Sequence, residues 1–268
     1  MSELWLGRQV AVPSSYDPGV LTPIARAQTR RDLDPPPFVG FDEWRAYELS
    51  WLDGRGKPVV ALARFRVPCD SPCLIESKSL KLYLNGLGGT RFSEVDAVAA
   101  TIRADLSRAA GAAVEVAIAP LSMRPQRAPG YPAGDCVDEL PVEIETYRYD
   151  PALLRIAEAT PRMQRLVSHL LKSNCPVTGQ PDWGCVVVHA LGPVIDPASF
   201  LRYVVSFRAQ QEFHEQCVER IYRDLWRLGM QELMVLACYT RRGGLDISPV
   251  RASRVGLLPE TLPEEIRQ

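Results

Sequence analysis

A pattern that occurs twice constrains this chain more than its overall composition does. Phe41 to Leu52 and Val59 to Val67 read as strands around the turn Asp53-Gly54-Arg55-Gly56. Ala61-Leu62-Ala63-Arg64-Phe65-Arg66-Val67 alternates at period two, and so does Leu80-Lys81-Leu82-Tyr83-Leu84, which predicts strands with one buried face. Phe92 to Ala110 changes to helical spacing through Val95, Val98, Ile102 and Leu106, and Val114 to Ile118 reads as another strand. The second half runs in the same order. Gly184 to Leu191 and Phe200 to Phe207 read as strands, Phe213 to Leu228 as an amphipathic helix, and Leu233 to Tyr239 as a strand. Phe92-Ser93-Glu94 and Phe213-His214-Glu215 both open a helix after a strand. Ile102-Arg103-Ala104-Asp105-Leu106 echoes Ile221-Tyr222-Arg223-Asp224-Leu225. These echoes predict a duplicated α+β module whose antiparallel strands pack on helices, with modules at 1–135 and 136–268. Met123 to Asp135, with three Pro and two Gly, is the expected linker, and the Pro-rich first 40 residues are expected to wrap over a core.

A length of 268 residues suits one large domain or two smaller ones. With 46% hydrophobic and 24% charged residues the chain can bury a core without disulfides. Its 31 basic and 32 acidic residues give a net charge of −1, against the basic excess of an extended nucleic-acid surface. A few Arg and Lys can still hold a small anion. No apolar run approaches the roughly 20 residues of a membrane span, and Met1 to Val12 lacks the features of a signal peptide. The chain reads as soluble and cytoplasmic, where its seven scattered cysteines are thiols.

Four segments carry reactive side chains, and each has a purely structural alternative. Glu76-Ser77-Lys78-Ser79-Leu80-Lys81 is either part of a site or the solvated start of a strand with a surface ion pair. In Asn174-Cys175-Pro176-Val177-Thr178-Gly179-Gln180-Pro181-Asp182-Trp183-Gly184, a turn stiffened by Pro and Gly is flanked by Cys175 and Asp182. A thiolate and a carboxyl can face one site there; the alternative is a buried structural Cys with a turn-capping Asp. In Phe213-His214-Glu215 the carboxylate either answers the helix dipole or accepts two hydrogen bonds from a guanine-like edge. Phe213 can stack on the ring and His214 can move protons near neutral pH, unless it is simply a surface residue. Arg241-Arg242-Gly243-Gly244-Leu245-Asp246 is either a phosphate cradle or a charged turn.

Taken together, Glu76-Ser77-Lys78-Ser79-Leu80-Lys81, the run Cys175 to Asp182, Ser206-Phe207-Arg208 with Phe213-His214-Glu215, and Arg242-Gly243-Gly244 resemble the signature of the NADPH-dependent 7-cyano-7-deazaguanine reductases. Leu6-Gly7 and Leu21 to Arg26 are similar to the long form of that family, and the resemblance covers nearly the whole chain. It implies two tandem tunnelling-fold modules, a fold shared with GTP cyclohydrolase I. It also implies reduction of a nitrile to the primary amine of 7-aminomethyl-7-deazaguanine, within queuosine biosynthesis. In this reading Cys175 forms a covalent thioimidate, Asp182 handles the accompanying proton and His214 assists. Ile75, Glu76, Ser77, Phe213, His214 and Glu215 bind the base, while Ser77, Lys78, Arg242, Gly243 and Gly244 face NADPH. No metal is implied. No Gly-x-Gly-x-x-Gly fingerprint is present, so NADPH binds without a Rossmann domain.

In the family's short form the acid-Ser-Lys-Ser and Phe-His-Glu runs both follow the cysteine within one module. Here the first run lies in the N-terminal half and the cysteine in the other, which implies that the halves divided the labour. The free base is the expected partner, with no direct nucleic-acid or membrane contact, and a homodimer is expected. The rivals are a zinc cyclohydrolase, for which only His169, His189 and His214 are present, and a non-catalytic purine-binding module.

Overall fold

The computed structural model describes residues 15–123 and 132–268. Leu6-Gly7 and residues 124–131 of the expected linker lie outside them. The elements are β1 Pro23–Ala25, α1 Arg26–Thr29, β2 Val39–Leu52, β3 Pro58–Pro68, β4 Cys73–Ile75, α2 Ser77–Leu87, α3 Val95–Ala110 and β5 Glu115–Pro120. They continue as β6 Asp135–Cys136, β7 Ile156–Asn174, β8 Pro181–Ile195, α4 Pro197–Ser206, α5 His214–Trp226, β9 Glu232–Tyr239 and β10 Leu245–Ala252. The architecture is α+β; β1–β4, β2–β3, β3–β5, β7–β8, β8–β9 and β9–β10 pair antiparallel, and β6 pairs with β7 in parallel. The chain forms two compact units. The first spans Met1–Gln28, Phe41–Ala128 and Arg241–Ile247; the second spans Thr29–Gly40, Pro129–Thr240 and Ser248–Gln268.

In the first unit β3 pairs with both β2 and β5. The β2–β3 turn closes through Gly56 N–H to Asp53 O and Asp53 N–H to Lys57 O, each 2.9 Å, as its Asp-Gly composition predicts. Leu80 to Leu84 is helical, not a strand. Alternation over five residues fits either period, and the wider set Leu80, Tyr83, Leu84 and Leu87 recurs at helical steps and is buried. The helix starts where Glu76 accepts from the Lys78 and Ser79 amides at 2.9 and 2.7 Å, satisfying donors that otherwise lack a partner.

In the second unit the strands run in the order β10-β9-β8-β7-β6, antiparallel up to β7 and parallel at β6. Phe200 to Phe207 is also helical rather than extended. Asp196 caps α4 by accepting from Ser199 N at 2.9 Å, and Pro197 takes a first-turn position where its missing N–H costs nothing.

With the short β4 inserted in the first unit, β2, β3, α2, α3, β5 and β7, β8, α4, α5, β9 follow the same order, and in each the second strand pairs with the other two. The polar interiors repeat as well. Asp105 on α3 accepts from the hydroxyls of Tyr16 and Tyr83 at 2.8 and 2.7 Å. Asp224 on α5 accepts from those of Tyr149 and Tyr203, both at 2.6 Å. Ser79 Oγ accepts from Thr22 N and donates to Glu76 O; Ser199 Oγ accepts from Arg155 N and donates to Asp196 O. The helix caps also correct the sequence echo. Counted from the caps Glu94 and Phe213, Asp105 matches Asp224, and Glu215 matches exposed Asp96 rather than Glu94. The segment before each of these helices is itself a helix, not a strand.

Candidate active site

β7 and β8 form a hairpin whose last pairs are Ser173 with Asp182 and Asn174 with Pro181. Residues 175–180 make the turn. The Cys175 amide donates to Gln180 O at 2.8 Å, and its carbonyl accepts from Gly179 N at 2.9 Å. Gly179 has φ +68°, a conformation that a side chain disfavours. The hairpin is tied to the segment leading into α5. Asn174 N donates to Gln210 O at 2.8 Å, Glu212 N donates to Asn174 O at 3.1 Å, and Asn174 Nδ2 donates to Arg208 O at 3.1 Å. Lys172 Nζ reaches Asn174 Oδ1 and Arg208 O at 2.6 and 2.8 Å, and burial beside Arg208 pulls its pKa down.

These ties bring the cysteine hairpin and Phe213-His214-Glu215 together within one unit. Asp182 is a buried residue of β8 rather than a turn cap, and its Oδ2 lies 3.5 Å from His214 Nε2. His214 opens α5, with half-buried Phe213 as its cap. Glu215, in the first turn, is only 3% exposed, so it is not a surface answer to the helix dipole. A thiol, a carboxyl, an imidazole and a second carboxyl are thereby gathered on adjoining elements. Cys175 is half-buried, whereas Cys185 and Cys217 are buried and burial pushes their thiols far up, out of the thiolate range.

The N-terminal candidates lie in the other unit. Ile75 is buried in β4 opposite Pro23, Glu76 caps α2, and Ser77 and Lys78 are half-buried in the first turn. Glu76 is therefore neither solvated nor at the start of a strand. Arg242 and Leu245 exchange both backbone hydrogen bonds around Gly243 and Gly244, at φ +63° and +78°. A two-residue turn with positive φ at both positions favours Gly-Gly. A Cβ on Gly244 would fall 2.3 Å from the Glu48 carboxyl carbon, and one on Gly243 2.9 Å from Lys81 Nζ. Lys81 belongs to α2, so the Gly-Gly turn and the helix carrying Lys78 meet. Arg241 lies 4.2 Å over the Tyr47 ring. Close-approach glycines beside Lys81, Arg241 and Arg242 suit the donor chemistry of a phosphate group.

Sequence reasoning missed Tyr239, whose ring meets that of His214 edge to face at 4.2 Å. Its only signal was an aromatic at the end of a strand. It also missed the group Cys136, Asp138 and His169, whose ligand atoms lie within 4.8 Å of one another. That group shares no residue with the site above.

Two family profiles match the chain: "Nitrile reductase, 7-cyano-7-deazaguanine-reductase N-term" over residues 12–118 and "QueF-like protein" over 181–255. A protein of Aromatoleum aromaticum named NADPH-dependent 7-cyano-7-deazaguanine reductase is 56% identical over 254 residues, 92% of this chain and 90% of its own length. The chain belongs to the 7-cyano-7-deazaguanine reductase family. Reductases of the same name from Chromohalobacter salexigens and Stenotrophomonas maltophilia strain K279a are 50% and 52% identical, over 92% and 98% of this chain and 91% and 97% of theirs. The second profile begins at Pro181, so it takes in Asp182, Phe213-His214-Glu215 and the Gly-Gly turn. Within this reductase family, the matched N-terminal segment contains the Glu76 to Lys81 run.

Proposed function

We propose that the chain is an NADPH-dependent oxidoreductase that reduces the nitrile of 7-cyano-7-deazaguanine to the aminomethyl group, as a step toward queuosine. The observation that carries this reading is the 3.5 Å approach of Asp182 to His214 in the unit whose hairpin holds Cys175. The Cys175 sulfur adds to the nitrile carbon as its thiol proton passes to the Asp182–His214 pair. An S–C bond forms, one C–N π bond opens, and the nitrogen takes a proton from the Asp182–His214 pair, leaving a thioimidate on Cys175. NADPH, when bound, supplies the hydride equivalents, two for each nitrile carried to the amine. Cys175 leaves again as the carbon is reduced, and Asp182 with His214 serves the later protons. Glu215 accepts from the N–H donors of the base edge and Phe213 stacks on the ring, with Ile75, Glu76 and Ser77 also on the substrate. Ser77, Lys78, Arg242, Gly243 and Gly244 hold the cofactor. The modules 1–135 and 136–268 are tunnelling folds, and the chain works as a cytoplasmic homodimer on the free base. Among the described residues no helix is long and apolar enough to cross a membrane. Oxidation of NADPH on addition of 7-cyano-7-deazaguanine tests the reading directly; no oxidation with folded protein overturns it.

Dialysis against EDTA is expected to leave NADPH oxidation unchanged, because Cys136, Asp138 and His169 include none of the residues assigned to the reaction. Activity recovered only on adding zinc would favour a cyclohydrolase-like metal enzyme instead. Lys78→Ala is expected to weaken NADPH about 10- to 150-fold, the effect of one charge-assisted hydrogen bond. Glu76→Gln, which keeps the shape of the cap, is expected to weaken the nitrile by a similar factor. If titration calorimetry finds both affinities unchanged in folded variants, the N-terminal unit is scaffold alone.

A further inference from the structure

We infer that Tyr239 is a positioning residue: its ring, rather than its hydroxyl, sets the orientation of His214 toward Asp182. The inference rests on the proton-transfer role proposed for those two residues. Tyr239 ends β9 directly opposite Gly184 on β8. Gly184 makes room for it, since a Cβ there would come 3.1 Å from Tyr239 Cδ1. Asp182 is two residues before Gly184, on the same face of the strand. The ring filling the space over Gly184 therefore stands beside the carboxylate, and it meets the His214 imidazole at 4.2 Å and an interplanar angle of 64°. This leaves the imidazole bounded by a ring that is itself immobile, because Tyr239 is 1% exposed and Gly184 backs it.

The hydroxyl takes no part in that hold. It is buried and lies with Ser173 Oγ and the Cys217 thiol, its hydrogen-bonding neighbours, rather than at the imidazole. Packing of the ring is what remains to fix the imidazole, and a misplacement of about 1 Å can cost roughly 100-fold in rate.

The test uses full-length protein with both substrates. Tyr239→Leu is expected to lower kcat about 10- to 100-fold while KM for the nitrile stays within about threefold. Tyr239→Phe is expected to restore kcat to within about threefold of wild type, since it keeps the ring. If the leucine variant does not fold, Gly184→Ala replaces it: the added methyl crowds the ring, and a fall in kcat at constant KM is expected. The chain has only three histidines, so the His214 imidazole can be followed by NMR without activity. Its signals are expected to show exchange between ring orientations in Tyr239→Leu and one orientation in Tyr239→Phe. A single unchanged orientation in the leucine or Gly184→Ala variant overturns the inference whatever the kinetics. Full activity of His214→Ala would instead remove the proton role of His214, leaving the NMR result to judge the positioning by itself.

Discussion

Replacing Cys175 by alanine is expected to end turnover while the protein stays folded. The turn that carries Cys175 is closed by main-chain hydrogen bonds to Gln180 and Gly179, which alanine retains, so the stability change should be about 1 kcal/mol or less. The wild-type chain mixed with the nitrile in the absence of NADPH should gain the mass of one substrate molecule, and Cys175→Ala should gain none. Peptide mapping should place that mass on the 175–180 turn. Cys185 and Cys217 are poor alternatives because both are buried with thiols pushed far up. An adduct on any cysteine other than Cys175 would show that the nucleophile has been misassigned.

Asp182→Asn should be the next most damaging change. The amide keeps the shape beside His214 but cannot take or give a proton as the carboxyl does. General acid–base groups contribute about 100- to 10,000-fold, and a loss of kcat in that range is expected with substrate affinity largely kept. Single-turnover measurements would place the loss in adduct formation, where the nitrile nitrogen takes its first proton, and in the later reductive steps. A variant within about threefold of wild type would mean that Asp182 only holds His214 in place, since an acid–base role costs at least the lower end of that range.

The strands β2, β3 and β5 and the helices α3 and α5 were legible from their periods, whereas β8 and β9 were legible as short, β-rich apolar runs without alternation. The helices α2 and α4 were not. Leu80 to Leu84 satisfies both periods, and Phe200 to Phe207 is so apolar that periodicity says little; only the caps Glu76 and Asp196 separate the cases. Most of β7 went unseen because its first half is exposed on both faces, so no hydrophobic alternation marks it. β10 went unseen for the opposite reason, being buried throughout with Asp246, Ser248 and Arg251 among its residues. At the candidate site the reactive side chains announced themselves by type and by the rigid turns beside them. Their arrangement did not. It depends on backbone ties such as Asn174 to Gln210, and on the fit of Tyr239 over Gly184, which leave no mark on local spacing.

Each unit keeps its own buried carboxylate with two tyrosine donors, but the hairpins that match in order differ at the tip. One turns through Cys175, the other through a plain Asp53-to-Lys57 closure. What holds the repeat together and what reacts are thus inscribed at separate points along it. A frame held in this way can lose a nucleophile from its hairpin tip without loosening. That freedom applies to the unit that carries Cys175: a lineage that loses Cys175 retains a folded chain on which selection can act afresh.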